Sequence, residues 1–326
     1  MKQRGNSHLV IRVMHCLSRR GQPFGLFLTI LFFLALSAAA GAESAADRLE
    51  RGILKGQAGD YAGAIEEFNE ALRLKPSFSA AFYNRGVARG FLGDAQGAID
   101  DYTKAIQLDP KAIGAYNNRG YTRAAKGDNA GAIADLTRAI SLNPELAELY
   151  NNRGTVRTSM KDYANAIADF TRAISLNPRL AGVYNNRGLA KASSGDLYGA
   201  VDDFTQAVTL DQRYDTAWYN RGNAKVSMKD ARGAVEDYTK AVVLNPRLLA
   251  AWNNRAFARI TLGDYTGAID DISNVIKQSP GNASAYYNRG LVKKMAGDSQ
   301  GAIVDLRKAA SLGDELAGEL LKELEP

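Results

Sequence analysis

The sequence predicts an all-α fold: a solenoid of eight stacked helix-turn-helix repeats closed by a C-terminal capping helix. Three observations predict it. Glycines at 52, 86, 120, 154, 188, 222 and 290, with Ala256 in the remaining place, follow one another every 34 residues without insertion or deletion. A fixed period of this length marks stacked supersecondary units. With this residue numbered position 8 of each repeat, position 20 is Ala in all eight, position 24 is large and apolar, and position 27 is Ala except for Val275. Asp stands at position 16 in every repeat and Pro at position 32 in six, so the apolar run has a start and a stop. The repeats are 45–78, 79–112, 113–146, 147–180, 181–214, 215–248, 249–282 and 283–316.

Residues 1–42 precede the array and read as an address. They hold Lys2, Arg4, Arg12, Arg19 and Arg20 and no acid, then an apolar run from Phe24 to Leu36, then Ser37, Ala38, Ala39, Ala40, Gly41 and Ala42. Basic, apolar, then small is the layout of a secretory signal peptide, and cleavage is expected after Ala42. Gln22-Pro23 after the arginine pair argues for the general secretory route and against the twin-arginine one. Cys16 lies ahead of the apolar run and so is not a lipid-bearing cysteine. The alternative is a retained leader, with 24–42 as a membrane anchor long enough to span, which would make the chain a membrane-anchored or cytosolic assembly factor or co-chaperone. Export implies a periplasmic protein. Cys16, His8 and His15 all fall in the leader, so the mature chain has neither residue type and suits an oxidising compartment. The charge follows the leader too. Of the formal +6, five charges are there, and beyond it 36 basic residues face 35 acidic ones. No separate basic stripe remains to track a nucleic acid.

Within a repeat, Ala98, Ile99, Tyr102, Ala105 and Ile106 recur at i, i+1, i+4, i+7 and i+8, one face of a helix. Asp94 just before that run is an N-cap of the type favoured by its short acceptor side chain. Pro at position 32 ends this second helix, because its ring disfavours helical geometry in the residue before it. Each repeat is therefore helix A, a tight turn, helix B and a second turn. "YNNRG" at 116–120, 150–154 and 184–188 sits in helix A, although Asn and Gly are poor helix formers. Its glycine is explained by close approach of helix B. Its tyrosine is expected to pack inside its own repeat. The tail from 315 to 326 is expected to form the capping helix that a solenoid end needs.

The aromatic row at position 4 (Phe82, Tyr116, Tyr150, Tyr184, Trp218, Trp252, Tyr286) joins the glycine of position 8, the alanines of positions 20 and 27, the large residue of position 24 and the proline of position 32. Together they resemble the tetratricopeptide repeat family over residues 45–316. The resemblance implies a right-handed α-solenoid that binds a protein or an extended peptide in a concave groove lined by helix A, with no cofactor and no metal.

Two departures from the family pattern, which has Leu at position 7 and Tyr at position 11, stand out. Position 7 is Arg throughout, and position 11 is always basic. Like charges four apart on one helix repel, and position 23 is acidic in every repeat. An ion-pair ladder between the helices is expected: Arg85 with Asp101, Arg119 with Asp135, Arg153 with Asp169, Arg187 with Asp203, Arg221 with Asp237, Arg255 with Asp271 and Arg289 with Asp305. The alternative reading is an arginine row gripping an acidic partner.

A further row of interest is position 6: Asn84, Asn118, Asn152, Asn186, Asn220, Asn254 and Asn288, with Glu50 in the first repeat. A carboxamide donates and accepts, so the row can bond a peptide backbone without reading its side chains. Asparagine ladders of this kind bind peptides in some family members. Each rung adds about 0.5–1.5 kcal/mol net, and ordering an extended peptide cancels much of that. The other reading is a row copied by duplication that bonds only its neighbours or water. Position 9 varies beside it and includes Tyr121 and Phe257, which suits side-chain selection. The family's terminal-carboxylate clamp needs bases at positions 2, 5 and 6, and none stands there. The first repeat, with Arg48 and Glu50, reads as a cap. No nucleotide-binding loop, metal motif or nucleophile-base pair appears, and nearly every acid falls at a repeat phase, so an enzyme is not expected. The oligomeric state and the partner's identity are not written in these residues.

Overall fold

The computed structural model describes residues 43–324. The expected leader, or anchor, at 1–42 lies outside the described residues, as do 325–326 at the end of the cap. Seventeen helices and no strand occur among the described residues. Helix A of each repeat is α1 (Ala45–Gln57), α3 (Ser79–Phe91), α5 (Ile113–Ala125), α7 (Ala147–Ser159), α9 (Ala181–Ser193), α11 (Asp215–Ser227), α13 (Leu249–Thr261) and α15 (Ala283–Met295). Helix B is α2 (Tyr61–Leu74), α4 (Ala95–Leu108), α6 (Asn129–Leu142), α8 (Tyr163–Leu176), α10 (Leu197–Leu210), α12 (Ala231–Leu244), α14 (Tyr265–Gln278) and α16 (Ser299–Ser311), and α17 (Glu315–Leu324) follows. None of these helices is long and apolar enough to cross a membrane. The chain divides into two compact halves, Met1–Asn177 and Pro178–Pro326.

Position 16 starts helix B as the sequence suggests. The carboxylates of Asp60, Asp94, Asp128, Asp196, Asp230, Asp264 and Asp298 each accept the backbone N–H three residues on. Asp162 is the exception. Its carboxylate accepts from the side-chain Nδ2 of Asn165, at 2.9 and 3.0 Å, and makes no bond to the helix backbone. The reason is steric. The seven capped helices carry Gly at this place, and a Cβ on Gly63 would stand 2.1 Å from the Asp60 carboxylate. Asn165 brings that Cβ, so the carboxylate turns to the carboxamide instead.

The turn before it needs a left-handed residue at position 15. Six repeats use Gly there, with φ between 79° and 94°. Lys161 and Lys229 take the same conformation at φ 63° and 62°. A side chain in this region is strained by about 1–2 kcal/mol, while Gly costs about 0.5–1 kcal/mol more entropy on folding. Lys161→Gly and Lys229→Gly are therefore each expected to raise stability by about 0.5–1 kcal/mol, read as a higher urea midpoint. A lower midpoint would show that the lysine side chain contributes more than its backbone loses.

Helix B leaves helical geometry at position 31, ahead of the proline. The fifth repeat, with Gln212 in place of Pro, stops at the same residue, so the turn does not depend on the ring. In the eighth, where Asp314 replaces Pro, α16 ends one residue earlier and Gly313 turns the chain at φ 95°.

Neighbouring repeats within each half share their cores. Phe204 and Ala200 of helix B pack on Ala224 in the next helix A, as Phe68 and Ala64 pack on Ala88, and Tyr238 and Ala234 on Ala258. One turn on, Ala207 and Val208 pack on Ala217, and Ala241 and Val242 on Ala251. The position 4 ring serves both junctions. Trp218 packs against Ala207 and Val208 of the preceding repeat and against Ala241 and Val242 of its own. Tyr150, expected to pack inside its own repeat, has Arg153 and Arg172 of that repeat over its ring and also joins Ala139 and Ile140 of the preceding one. A buried Phe stabilises by roughly 2–3 kcal/mol, and here that stabilisation belongs to neighbouring pairs.

The glycine at position 8 faces the ring of position 24. A Cβ on Gly86 would lie 2.8 Å from the Tyr102 ring, on Gly154 2.8 Å from Phe170, and on Gly188 2.7 Å from Phe204. Beyond the A–B pairs, α1 touches α3, α3 touches α5 and α5 touches α7. In the second half α9 touches α11 and α11 touches α13. Helices A thus lie side by side within each half, and α17 caps the last pair with Ala317 buried against Leu306 and Ala309.

Candidate functional site

Helix A presents two stripes of different chemistry. Positions 7 and 11 turn toward helix B. There Arg153 donates Nε and Nη2 to the two carboxylate oxygens of Asp169, at 2.9 and 2.7 Å, a bidentate fork. Arg85 with Asp101, Arg119 with Asp135, Arg187 with Asp203, Arg221 with Asp237, Arg255 with Asp271 and Arg289 with Asp305 have the same geometry, with Nη2–Oδ1 distances of 2.6–2.7 Å. These seven aspartates are 1–4% exposed. The base at position 11 completes each site on the other oxygen: Arg89 at 2.9 Å, Arg157 at 2.7 Å and Lys225 at 2.8 Å. Two bases on one buried acid explain how like charges four apart are tolerated.

Sequence reasoning missed the third arm. Nη1 of six of these arginines reaches back to the preceding repeat. Arg85 donates to Asn69, Arg119 to Thr103, Arg153 to Thr137, Arg221 to Thr205, Arg255 to Thr239 and Arg289 to Ser273, at 2.6–3.0 Å. The signal was present: position 25 carries Thr, Ser or Asn in every repeat but the last. Each guanidinium also lies over its own position 4 ring, 4.6 Å from the centroid at Trp218 and 5.8 Å at Tyr150. With side chains only 8–19% exposed, these seven arginines are committed to the fold, and the reading of a row gripping an acidic partner loses its donors.

The first repeat solves the same problem differently. Glu67 replaces Asp and takes Lys55 at 2.8 Å, Arg48 at 3.0 Å and Arg51 at 3.4 Å, while Glu43 pairs with Arg48 and Arg51. The hydrogen bond from Lys55 leads in holding the Glu67 carboxyl at about 2, with Arg48 and Arg51 adding to it against burial, which pushes the value up. This folded value lies below the ordinary 4.5. The ion-pair stability is therefore complete above about pH 4.5 and lost as pH falls toward 2. The array is expected to have a lower urea midpoint at pH 3 than at pH 5. In Glu67→Gln that loss shrinks by about 1 kcal/mol. An unchanged loss would remove Glu67 from the acid response.

The other stripe comprises positions 2, 5, 6, 9 and 13, and some of its side chains, Leu49, Tyr83 and Val87 among them, still pack on helix B. Of its residues in all eight repeats only Glu50 and Glu148 are charged. The asparagine row lies here, and the structure gives it more internal work than a set of open rungs would have. Asn152 Nδ2 donates to Asn117 Oδ1 at 2.8 Å, and Asn220 to Asn185 at 2.9 Å. Asn118 donates to the Tyr83 hydroxyl and Asn254 to the Tyr219 hydroxyl, both at 3.3 Å. Each partner is position 5 of the preceding repeat. Asn84 donates to Ala80 O of its own helix. Asn186 is half-buried and Asn288 exposed. Asn117, Asn185 and Asn220 are buried. A buried carboxamide without partners would cost about 1–3 kcal/mol, so these bonds hold adjacent helices A in register. Beside them some position 9 side chains open outward: Phe257 is 62% and Leu189 39% exposed, while Tyr121 is half-buried and Val87 buried. Among the described residues no group of three His, Cys, Asp or Glu side chains is placed to hold a metal ion.

Family models described as tetratricopeptide repeat match residues 49–113, 147–180, 181–214, 219–283 and 254–315, and one described as TPR repeat matches 120–158. Comparison with curated proteins returns no match. Among solved structures, the C-terminal part of a TPR repeat-containing protein from Cytophaga hutchinsonii is 18% identical, with a TM-score of 0.59 over 73% of this chain and 97% of that one. PilF of Pseudomonas aeruginosa is 16% identical, with a TM-score of 0.55 over 63% and 93%. A tetratricopeptide repeat protein from Parabacteroides merdae ATCC 43184 is 22% identical, with a TM-score of 0.49 over 86% and 99%. These likenesses concern the fold. With family models covering most of residues 49–315 and helix pairs stacked at the same period, the chain belongs to the tetratricopeptide repeat family, whose fold is one used for protein–protein interaction.

Proposed function

We propose that the chain is an exported, non-enzymatic scaffold that holds an uncharged, extended segment of a partner protein against its helix-A faces. The observation that carries this reading is the separation of charge on helix A. The bases of positions 7 and 11 are consumed by the buried acids of helix B. The stripe left open has Asn, Thr, Ser and apolar side chains, with Phe257 and Leu189 standing out of it. Such a face offers nothing to a phosphate backbone and little to an acidic peptide. It offers apolar contact and short polar side chains to a neutral one. Because charge is not used, affinity will change little with salt. Export rests on the order of residues 1–42: basic, apolar, then small ahead of Glu43.

Two experiments test the reading. N-terminal sequencing of the protein from its native cells should begin at Glu43. An intact Met1 in the membrane fraction would replace export by anchoring through 24–42. For the face, Leu189→Arg and Phe257→Arg add charge at exposed positions and leave the asparagine bonds alone. Partners recovered with the wild type should be lost with these variants at unchanged helicity. Full recovery would remove the helix-A face from the function. Substitution of Asn152, Asn186 and Asn220 is the poorer test, since it also cuts bonds between repeats.

A further inference from the structure

One cluster occurs twice. Tyr at both position 5 and position 24 occurs in the second and sixth repeats and in no other, and the third and seventh are the two that carry an aromatic at position 9. Adding 136 residues, four repeats of 34, to Tyr83, Tyr102, Asn118 and Tyr121 gives Tyr219, Tyr238, Asn254 and Phe257. The geometry repeats with the letters. The Tyr83 and Tyr102 rings lie 6.0 Å apart at 46°, and the Tyr219 and Tyr238 rings 5.9 Å apart at 45°. Asn118 meets the Tyr83 hydroxyl, and Asn254 the Tyr219 hydroxyl, at the same 3.3 Å. In the second cluster Asn223 adds a bridge, accepting from the Tyr238 hydroxyl at 2.7 Å and from Asn254 at 2.9 Å. The first cluster lies wholly within residues 43–177 and the second wholly within 178–324, so each half owns one.

At position 24 most repeats place a Phe, Leu or Ile, which ends in the core. A Tyr there carries its hydroxyl through to the helix-A side, where burial keeps the phenol protonated as a donor. Through Asn223, Tyr238 thereby joins Asn254 and Tyr219 in one network, while Tyr102 packs on Tyr83, which accepts from Asn118. A network of this kind is rigid. One helical turn beyond the asparagine, on the same face, stands the aromatic of position 9. A ring partly exposed one turn from these fixed groups makes a preorganised contact, the kind that carries binding energy at interfaces.

We propose that the chain has two related recognition sites, one per half, each taking one uncharged extended segment whose aromatic or aliphatic side chain packs on Tyr121 or Phe257. The partner is therefore bound as two copies, or carries the same segment twice. This rests on the helix-A reading above. The probe is an N-acetylated, C-amidated Gly-Ala-Phe-Ala-Gly peptide, titrated into the isotope-labelled full chain and followed by NMR. Two groups of amides should shift and saturate, one around 117–121 and one around 253–257. Phe257→Ala should weaken the second site by about tenfold or more and leave the first within about twofold. Tyr121→Ala should do the reverse. If only one group shifts, or if one variant abolishes both, the duplication is wrong and the helix-A reading stands. If neither group shifts in the wild type, both fall.

Discussion

Asp169→Ala will lower the stability of the array by about 3–5 kcal/mol, more than any other single change in the ladder around it. Asp169 is 4% exposed and accepts three hydrogen bonds, from Arg153 Nε and Nη2 and from Arg157 Nη1. Its removal leaves two guanidinium groups on one face of α7, with side chains 14% and 21% exposed and the shared acid gone. Arg153→Ala costs less, about 1–3 kcal/mol, because Arg157 still neutralises Asp169. The double variant should cost clearly less than the sum, with a coupling of about 2 kcal/mol. Additive losses would mean that the pair does not act as one. Asp169→Asn separates charge from shape: it keeps the volume and two polar atoms, and should recover only part of the loss. Urea unfolding is the readout. In a repeat array a weakened junction lets neighbouring repeats unfold separately, so a second transition, and not only an earlier one, is expected.

The period, the helix pairs and the partner of Arg153 were legible because each depends on spacing within one repeat. Arg153 and Asp169 are 16 residues apart, close enough that helix periodicity sets both phases. Arg153 and Thr137 are also 16 apart, in the other direction, yet that bond depends on how two repeats stack. Nothing in the local pattern of a single helix reports stacking register. The same limit left the asparagine row between two readings. Asn152 reads as an open rung or as a bond to a neighbour until α5 is laid beside α7 and its amide meets Asn117. Asp162 shows a third kind of blindness. Its residue type is right for a cap, but one Cβ at Asn165, three residues on, redirects the carboxylate. The recurrence at 136 residues needed the structure for a different reason. The letters alone show two tyrosines and an asparagine dispersed over 35 residues, and only the fold brings them to one point.

Gly154→Ala is the second large effect, and the chain contains its own control. The added Cβ would stand 2.8 Å from Phe170 Cε1 and 3.0 Å from Cδ1 and Cζ. Phe170 is 1% exposed, so its ring has nowhere to go without moving α7 from α8. Overpacking of this kind costs about 1–3 kcal/mol. The better helix propensity of Ala returns up to about 1 kcal/mol. A net loss of about 1–2 kcal/mol is expected in urea unfolding. The seventh repeat already carries Ala at this place, Ala256, 2% exposed, and its position 24 is Ile272, a smaller side chain than Phe, buried at 3%. Phe170→Ile alone opens a cavity and costs about 1–2 kcal/mol. In Gly154→Ala/Phe170→Ile the methyl enters the space that the ring leaves. The double variant should therefore be more stable than the sum of the single losses by about 1–2 kcal/mol. Additivity would show that the glycine is kept for a backbone reason and not for the ring. The helical φ of position 8 argues against that, since among the described residues no position 8 glycine has positive φ.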